Sequence, residues 1–163
     1  MFKIGDKVVY PMHGAGVIEA IEEKEILGKK RKYYIMKMPI GNMKVMIPVE
    51  SVEEVGLRQV IDKSEIDKVI AVLKDKNHAS EDLDNSSNWN RRYKLNLEKI
   101  KNGDIFEVAE VVRNLICREK TKGLSTGERK MLENARRILI SEIVLAQDTE
   151  EEKVELMIDK MFA

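Results

Sequence analysis

Cysteine, histidine, tryptophan and proline are all scarce in this 163-residue chain, and each scarcity removes a class of protein. A single cysteine, Cys117, excludes an internal disulfide framework and any cysteine-built zinc cage, which fits a reducing compartment. It stands among Val111, Val112, Leu115 and Ile116, so it reads as a buried helix residue rather than a reactive thiol. The two histidines, His13 and His78, have no serine, cysteine or carboxylate at a diagnostic catalytic spacing, and each reads as a turn or surface residue. HExxH, CxxC, an EF-hand loop, GxGxxG and a glycine loop ending in GKS or GKT are all missing, so no metal, nucleotide or other cofactor is expected. No apolar run approaches the roughly 18 residues of a membrane span, and the first residues lack an arginine-flanked apolar core, so the expected place is the cytoplasm. The expectation is a protein that binds rather than catalyses.

What the chain does have is charge, evenly balanced in total and unevenly spread. Lysine plus arginine and aspartate plus glutamate number 29 each. Residues 1–60 carry a formal charge of +2, 61–84 of −3, 85–140 of +6 and 141–163 of −5. One basic block lies between two acidic ones, a dipolar arrangement that can bring one face to a polyanion without making the protein a general polycation.

The character of the chain changes near residue 60. All three prolines, Pro11, Pro39 and Pro48, fall before it, among short β-type runs separated by turn residues. KVVY at 7–10 is closed by Pro11; after the turn HGAG, strands are expected at 17–21, 31–38 and 43–47. Four to five short antiparallel strands in so few residues predict a small SH3-like or Tudor-like β barrel, a fold that usually binds. Beyond residue 60 the apolar period becomes helical. Ile66, Val69, Ile70 and Leu73 follow Ser64, which with Asp67 predicts a capped first helix. Residues 75–87 are polar and aperiodic, and a loop is expected there. A second helix is expected over about 88–101, stopped by Gly103 in the left-handed position after its end. Asp104 with Glu107, Ser125 with Glu128, and Thr149 with Glu152 precede three further helical periods, so each pair predicts a capping box. The fold class is α+β: a β module over 1–60, then a compact all-α unit of five helices over 61–163.

The segment NSSNWNRRYKLNLEKIK, residues 85–101, is the most informative. Trp89, the sole tryptophan, opens its helix beside Arg91, Arg92, Lys94, Lys99 and Lys101. A basic helix start, with Ser86, Ser87, Asn88 and Asn90 able to meet phosphate oxygens, suits contact with a nucleic-acid backbone. An aromatic ring so placed can wedge against a base step. Yet Trp89, Tyr93, Leu97 and Ile100 also recur at near-helical spacing, as a core stripe does. Pattern alone leaves core tryptophan and DNA wedge both open.

Longer stretches carry a resemblance. FKIGDKVVYPMHGAG, KKRKYYIMKMP and VMIPVESVEEVGLR at the start, with NWNRRYKLNLEKIKNGDIFEVAEVVRNL and KGLSTGERKMLENARRIL further on, resemble the CarD/CdnL family of bacterial RNA polymerase-binding regulators. The first group is similar to the polymerase-interaction domain that transcription-repair coupling factors share; the second is similar to the helical domain peculiar to CarD proteins. The resemblance implies a monomeric transcription regulator, nucleoid-associated through RNA polymerase. Its β module would dock on the polymerase β subunit, and its helical unit would contact promoter DNA in the minor groove at the upstream edge of the bubble, largely independently of sequence, stabilising the open complex. It places Trp89 on the family's wedging tryptophan and Arg91, Arg92 and Lys94 on the neighbouring basic contacts. On the polymerase side it places Lys24 and Met46. Met46 stands where relatives carry a basic residue, which shifts the expected docking from charge towards strand pairing and apolar packing. The rival from another class is a protein–protein adaptor with no direct DNA contact.

Overall fold

A computed structural model of the chain describes residues 1–77 and 88–163; His78 and the expected phosphate contacts Ser86 and Ser87 lie outside the described residues. Five antiparallel strands, β1 (Lys7–Tyr10), β2 (Gly14–Ile26), β3 (Lys29–Lys37), β4 (Lys44–Pro48) and β5 (Arg58–Gln59), form one sheet in the order β4-β3-β2-β1-β5. This is the small antiparallel β module that the short runs predict. The second strand begins at Gly14 rather than Val17, because the HGAG segment is already paired: Tyr10 faces Gly14 and Val9 faces Ala15. A register shift between Ile18 and Ala20 bends β2 against β3. A short helix, α1 (Val52–Val55), ends at Gly56 with φ 75° before β5, and neither of these two elements was legible as a separate period.

Five helices follow among the described residues: α2 (Ile66–Lys74), α3 (Trp89–Asn102), α4 (Ile105–Thr121), α5 (Thr126–Gln147) and α6 (Glu151–Met161). Asn88, Asp104 and Ser125 cap α3, α4 and α5 with their side-chain oxygens, and Gly103 adopts φ 74° after α3. Two expected caps are corrected. Asp62, not Ser64, accepts the first amide, because a 3-10 turn over Lys63–Glu65 precedes α2. Glu150, not Thr149, occupies the cap position of α6, and it makes no side-chain cap bond. No described helix is long and apolar enough to cross a membrane.

Two apolar clusters form. One lies inside the sheet around Val8, Ile18, Tyr34, Met36 and Ile47. The larger lies among the helices around Val69, Leu73, Val111, Val112, Leu139 and Ile143, with Met12, Ile40 and Ile61 packed against it. Cys117 is half-buried against this second cluster.

The sheet and the helices meet through β1, β2 and β5. Gly14, at φ 114°, lets the sheet approach α5 so closely that a Cβ there would stand 3.0 Å from Ser141 Oγ. The Ala15 amide donates to that hydroxyl at 2.9 Å, and the hydroxyl donates to Ile138 O at 2.7 Å. Arg58 supplies the strongest link. Its guanidinium donates to both carboxylate oxygens of Glu142 (2.8 and 2.7 Å) and to the carbonyl of Gly103 (2.8 and 2.6 Å). Glu142 is 1% exposed, and it accepts the Ile61 amide as well. A buried carboxylate is tolerated here because both of its oxygens meet donors, one of them charged.

Candidate nucleic-acid interface

Helix α3 begins at Trp89 because Asn88, in an extended conformation, turns its side-chain oxygen onto the amides of Asn90 (2.9 Å) and Arg91 (3.4 Å). That cap fixes the first turn and therefore the exit direction of the tryptophan. The ring is 42% exposed and is not a core residue. It stacks on Tyr93, one turn on, with centroids 5.1 Å apart and planes at 20°. Its indole N–H donates to Ser125 Oγ at 2.9 Å, across to the cap of α5.

The basic residues of α3 divide by helical face. Arg91 and Lys94 are exposed on the same side of the helix start. Arg92 is not: it shares a face with Asn96 and Ile100, four and eight residues on, and all three are buried. The expectation of a phosphate contact at Arg92 is corrected by this placement. Its guanidinium donates to Glu128 Oε2 at 3.2 Å and Oε1 at 3.4 Å, with a side chain 9% exposed, so it is committed inside the protein. The four- and eight-residue spacing to Asn96 and Ile100 was the sequence signal that could have separated it from its neighbours. Lys99 is likewise engaged, donating to Glu110 at 3.0 Å.

Glu128 anchors the site from α5. Burial pushes its carboxyl up, but the hydrogen bond and charge of Arg92 and the amide and hydroxyl of Ser125 outweigh it, so the group titrates below its ordinary 4.5. Arg118 of α4 brings a second guanidinium to 3.9 Å from the same carboxylate, and its Nε has no hydrogen-bond partner among the described residues. Arg113 is also internal, bonded to Asn114 and to Val72 O. The +6 of the basic block is therefore shared between a surface and a buried scaffold. The exposed part includes Arg91, Lys94, Lys120, Lys122, Arg129 and Lys130. Lys122 lies just before the Ser125 cap that holds the indole. Among the described residues no three His, Cys, Asp or Glu side chains gather as a metal site.

On the sheet, Lys24 and Met46 are both exposed. Lys24 faces Arg31 and Met46 faces Ile35 across β3, four residues apart, or roughly 13 Å along the strand. Cross-strand partners share a face, so both side chains lie on the side opposite Tyr34 and Met36, which point into the sheet cluster. Lys24 is 3.6 Å from Glu22, and Arg31 is 3.3 Å from Glu50. Met46 belongs to β4, an edge strand paired only with β3. His13 lies elsewhere, against Tyr10, in a small cavity with Met38, Ile40, Met43, Val45, Arg137 and Ser141.

Comparison with known proteins agrees with this layout. Residues 2–61 match the family described as the CarD-like/TRCF RID domain, and residues 68–159 match the one described as CarD, C-terminal domain. The chain is 46% identical over 154 residues to the putative transcription factor YdeB of Bacillus subtilis (strain 168), covering 94% of this chain and 97% of that one. The solution NMR structure of the 72-residue N-terminal domain of Myxococcus xanthus CarD is 34% identical, with 36% of this chain and 79% of that one covered at a TM-score of 0.32. With both regions matched in order along one chain, and a relative of nearly the same extent, this protein belongs to the CarD family of transcription regulators.

Proposed function

We propose that this transcription regulator, which works through RNA polymerase, docks on the polymerase β subunit with residues 1–60 and grips promoter DNA with residues 61–163. It acts in the cytoplasm as a monomer and stabilises the open promoter complex from the upstream edge of the bubble. The observation that carries the reading is the half-exposed Trp89 ring, held at a helix start beside Arg91 and Lys94.

The physics of each part is ordinary. Arg91, Lys94 and the lysines around the Ser125 cap meet phosphate, which positions the protein without reading sequence. The indole then lies against the minor-groove edge of a base step. Unstacking an intact step costs about a few kcal/mol, so the ring contributes most where the duplex is already opened and distorted. A contact stronger in the open than in the closed complex shifts the equilibrium towards the open one. Polymerase supplies local concentration: two weak contacts on one body reinforce each other. On the polymerase side, the free edge of β4 suits strand addition, with Met46 as an apolar contact and Lys24 as a charged one on the same face.

The test is the half-life of open complexes on one promoter, with and without the Trp89→Ala change, together with co-purification of polymerase. The expected result is a shorter half-life with polymerase binding unchanged. Equal half-lives, with cross-links to polymerase but none to DNA, would make the protein an adaptor instead.

A further inference from the structure

The wedge reading makes no use of the polar tether on the ring, and that tether is unusually complete. Ser125 Oγ accepts the indole N–H of Trp89 at 2.9 Å and the backbone N–H of Glu128 at 3.2 Å, and it donates its own proton to Glu128 Oε1 at 3.2 Å. A hydroxyl has one proton and two lone pairs, so all its capacity is used. The acceptor carboxylate cannot wander, because Arg92 holds both of its oxygens from α3 and Arg118 approaches from α4. The ring is also backed by Gly127: a Cβ there would stand 3.7 Å from Trp89 Cζ2 and 3.6 Å from Tyr93 Cε2. An exposed tryptophan on a helix surface normally samples several rotamers. Here stacking on Tyr93 sets the plane of the ring, and the bond to Ser125 sets its rotation within that plane.

We infer that Ser125 is a positioning residue for DNA engagement: its hydroxyl, locked by Glu128, holds the Trp89 indole in one orientation before DNA arrives. The inference rests on Trp89 being the DNA-contacting ring. Pre-ordering a side chain removes a cost otherwise met at binding, so loss of the tether lowers affinity for the open complex without removing any atom that touches DNA.

Trp89 is the chain's only tryptophan, so one indole N–H resonance and one fluorescence spectrum report its state directly. In the full-length protein, Ser125→Ala should speed exchange of that N–H proton with solvent and lower the steady-state anisotropy of the ring. It should also shorten open-complex lifetime about two- to tenfold, the range expected for freeing one rotamer-rich side chain. Ser125→Thr, which keeps the hydroxyl, should restore both readouts. Because Ser125 also caps α5, the decisive comparison uses Trp89→Phe, which leaves the cap intact and removes the N–H. In that background Ser125→Ala should have no further effect on lifetime. An equal loss with the native tryptophan and in the Trp89→Phe background would overturn the inference and leave the wedge reading standing. If instead Trp89→Ala itself leaves lifetime unchanged, the wedge reading falls and the inference with it.

Discussion

Neighbouring cations on one helix turn have opposite fates here, and mutation should separate them. Arg92 and Lys94 differ by two positions, yet one is sealed against Glu128 and the other faces solvent. Arg92→Ala strands a buried carboxylate and should cost about 3–5 kcal/mol of folding stability, read as a lower urea midpoint. Lys94→Glu should change stability by no more than about 0.5 kcal/mol. Under the proposed DNA contact it should instead weaken DNA binding, with the log–log salt slope reduced by about 0.9 if one phosphate contact is lost. Glu128 itself gives a pH signature. Its folded-state titration lies below 4.5, so the stability it contributes is present above that pH and is lost as the pH falls from 4.5 through the folded value. Glu128→Gln should flatten the acid limb of stability against pH within that window; an unchanged limb would mean the carboxylate gains nothing from its partners.

At the level of elements, the end of α3 is tied to the β module through one glycine. Gly103 has φ 74°, and a Cβ there would come within 2.8 Å of Pro11 Cγ. Gly103→Ala therefore meets two penalties, the left-handed backbone at about 1 kcal/mol and a clash with the ring of Pro11. Thermal melts should show Gly103→Ala less damaging in a Pro11→Ala background than alone. Equal damage in both would place the whole effect in the helix end. The caps at Asp104 and Ser125 were legible from sequence because a cap is a local event, decided within four residues. Ser64 and Thr149 misled for the same reason: Asp62 and Glu150 stand within two residues of them, and the choice depends on how the chain arrives from the neighbouring element.

For the whole molecule, the Arg58–Glu142 pair matters most, because it joins β5 to α5 and to the end of α3 at once. Arg58 keeps 30% of its side chain exposed, so the lower end of the buried-pair range applies, and Glu142→Ala should cost about 2–3 kcal/mol. The consequence reaches further than stability. Under the proposed pair of contacts, the β4 edge and Trp89 are carried on one body, so their separation is set before binding and the effective concentration of one contact given the other is high. Glu142→Ala should lower open-complex lifetime at a temperature where the protein is still fully folded. Unchanged lifetime there would show that the two contacts do not depend on a fixed geometry.

Periodicity and local chemistry were enough to read the division into a β-rich start and a helical remainder, the stop at Gly103 and two of the helix caps, since each depends on spacing within a few residues. The same spacing held the clue to Arg92, four and eight residues from Asn96 and Ile100, once the helix was given a face. Whether Trp89 fills a core could not be read, because a stripe at 89, 93, 97 and 100 looks the same whether its first turn is covered or overhangs the bundle. Only the packed helices decide that, by leaving the first turn of α3 at the rim and bringing Ser125, 36 residues away, against the indole. Arg58 and Glu142, 84 residues apart, meet for a like reason. Such pairings are products of chain reversal and packing, and no local pattern encodes them.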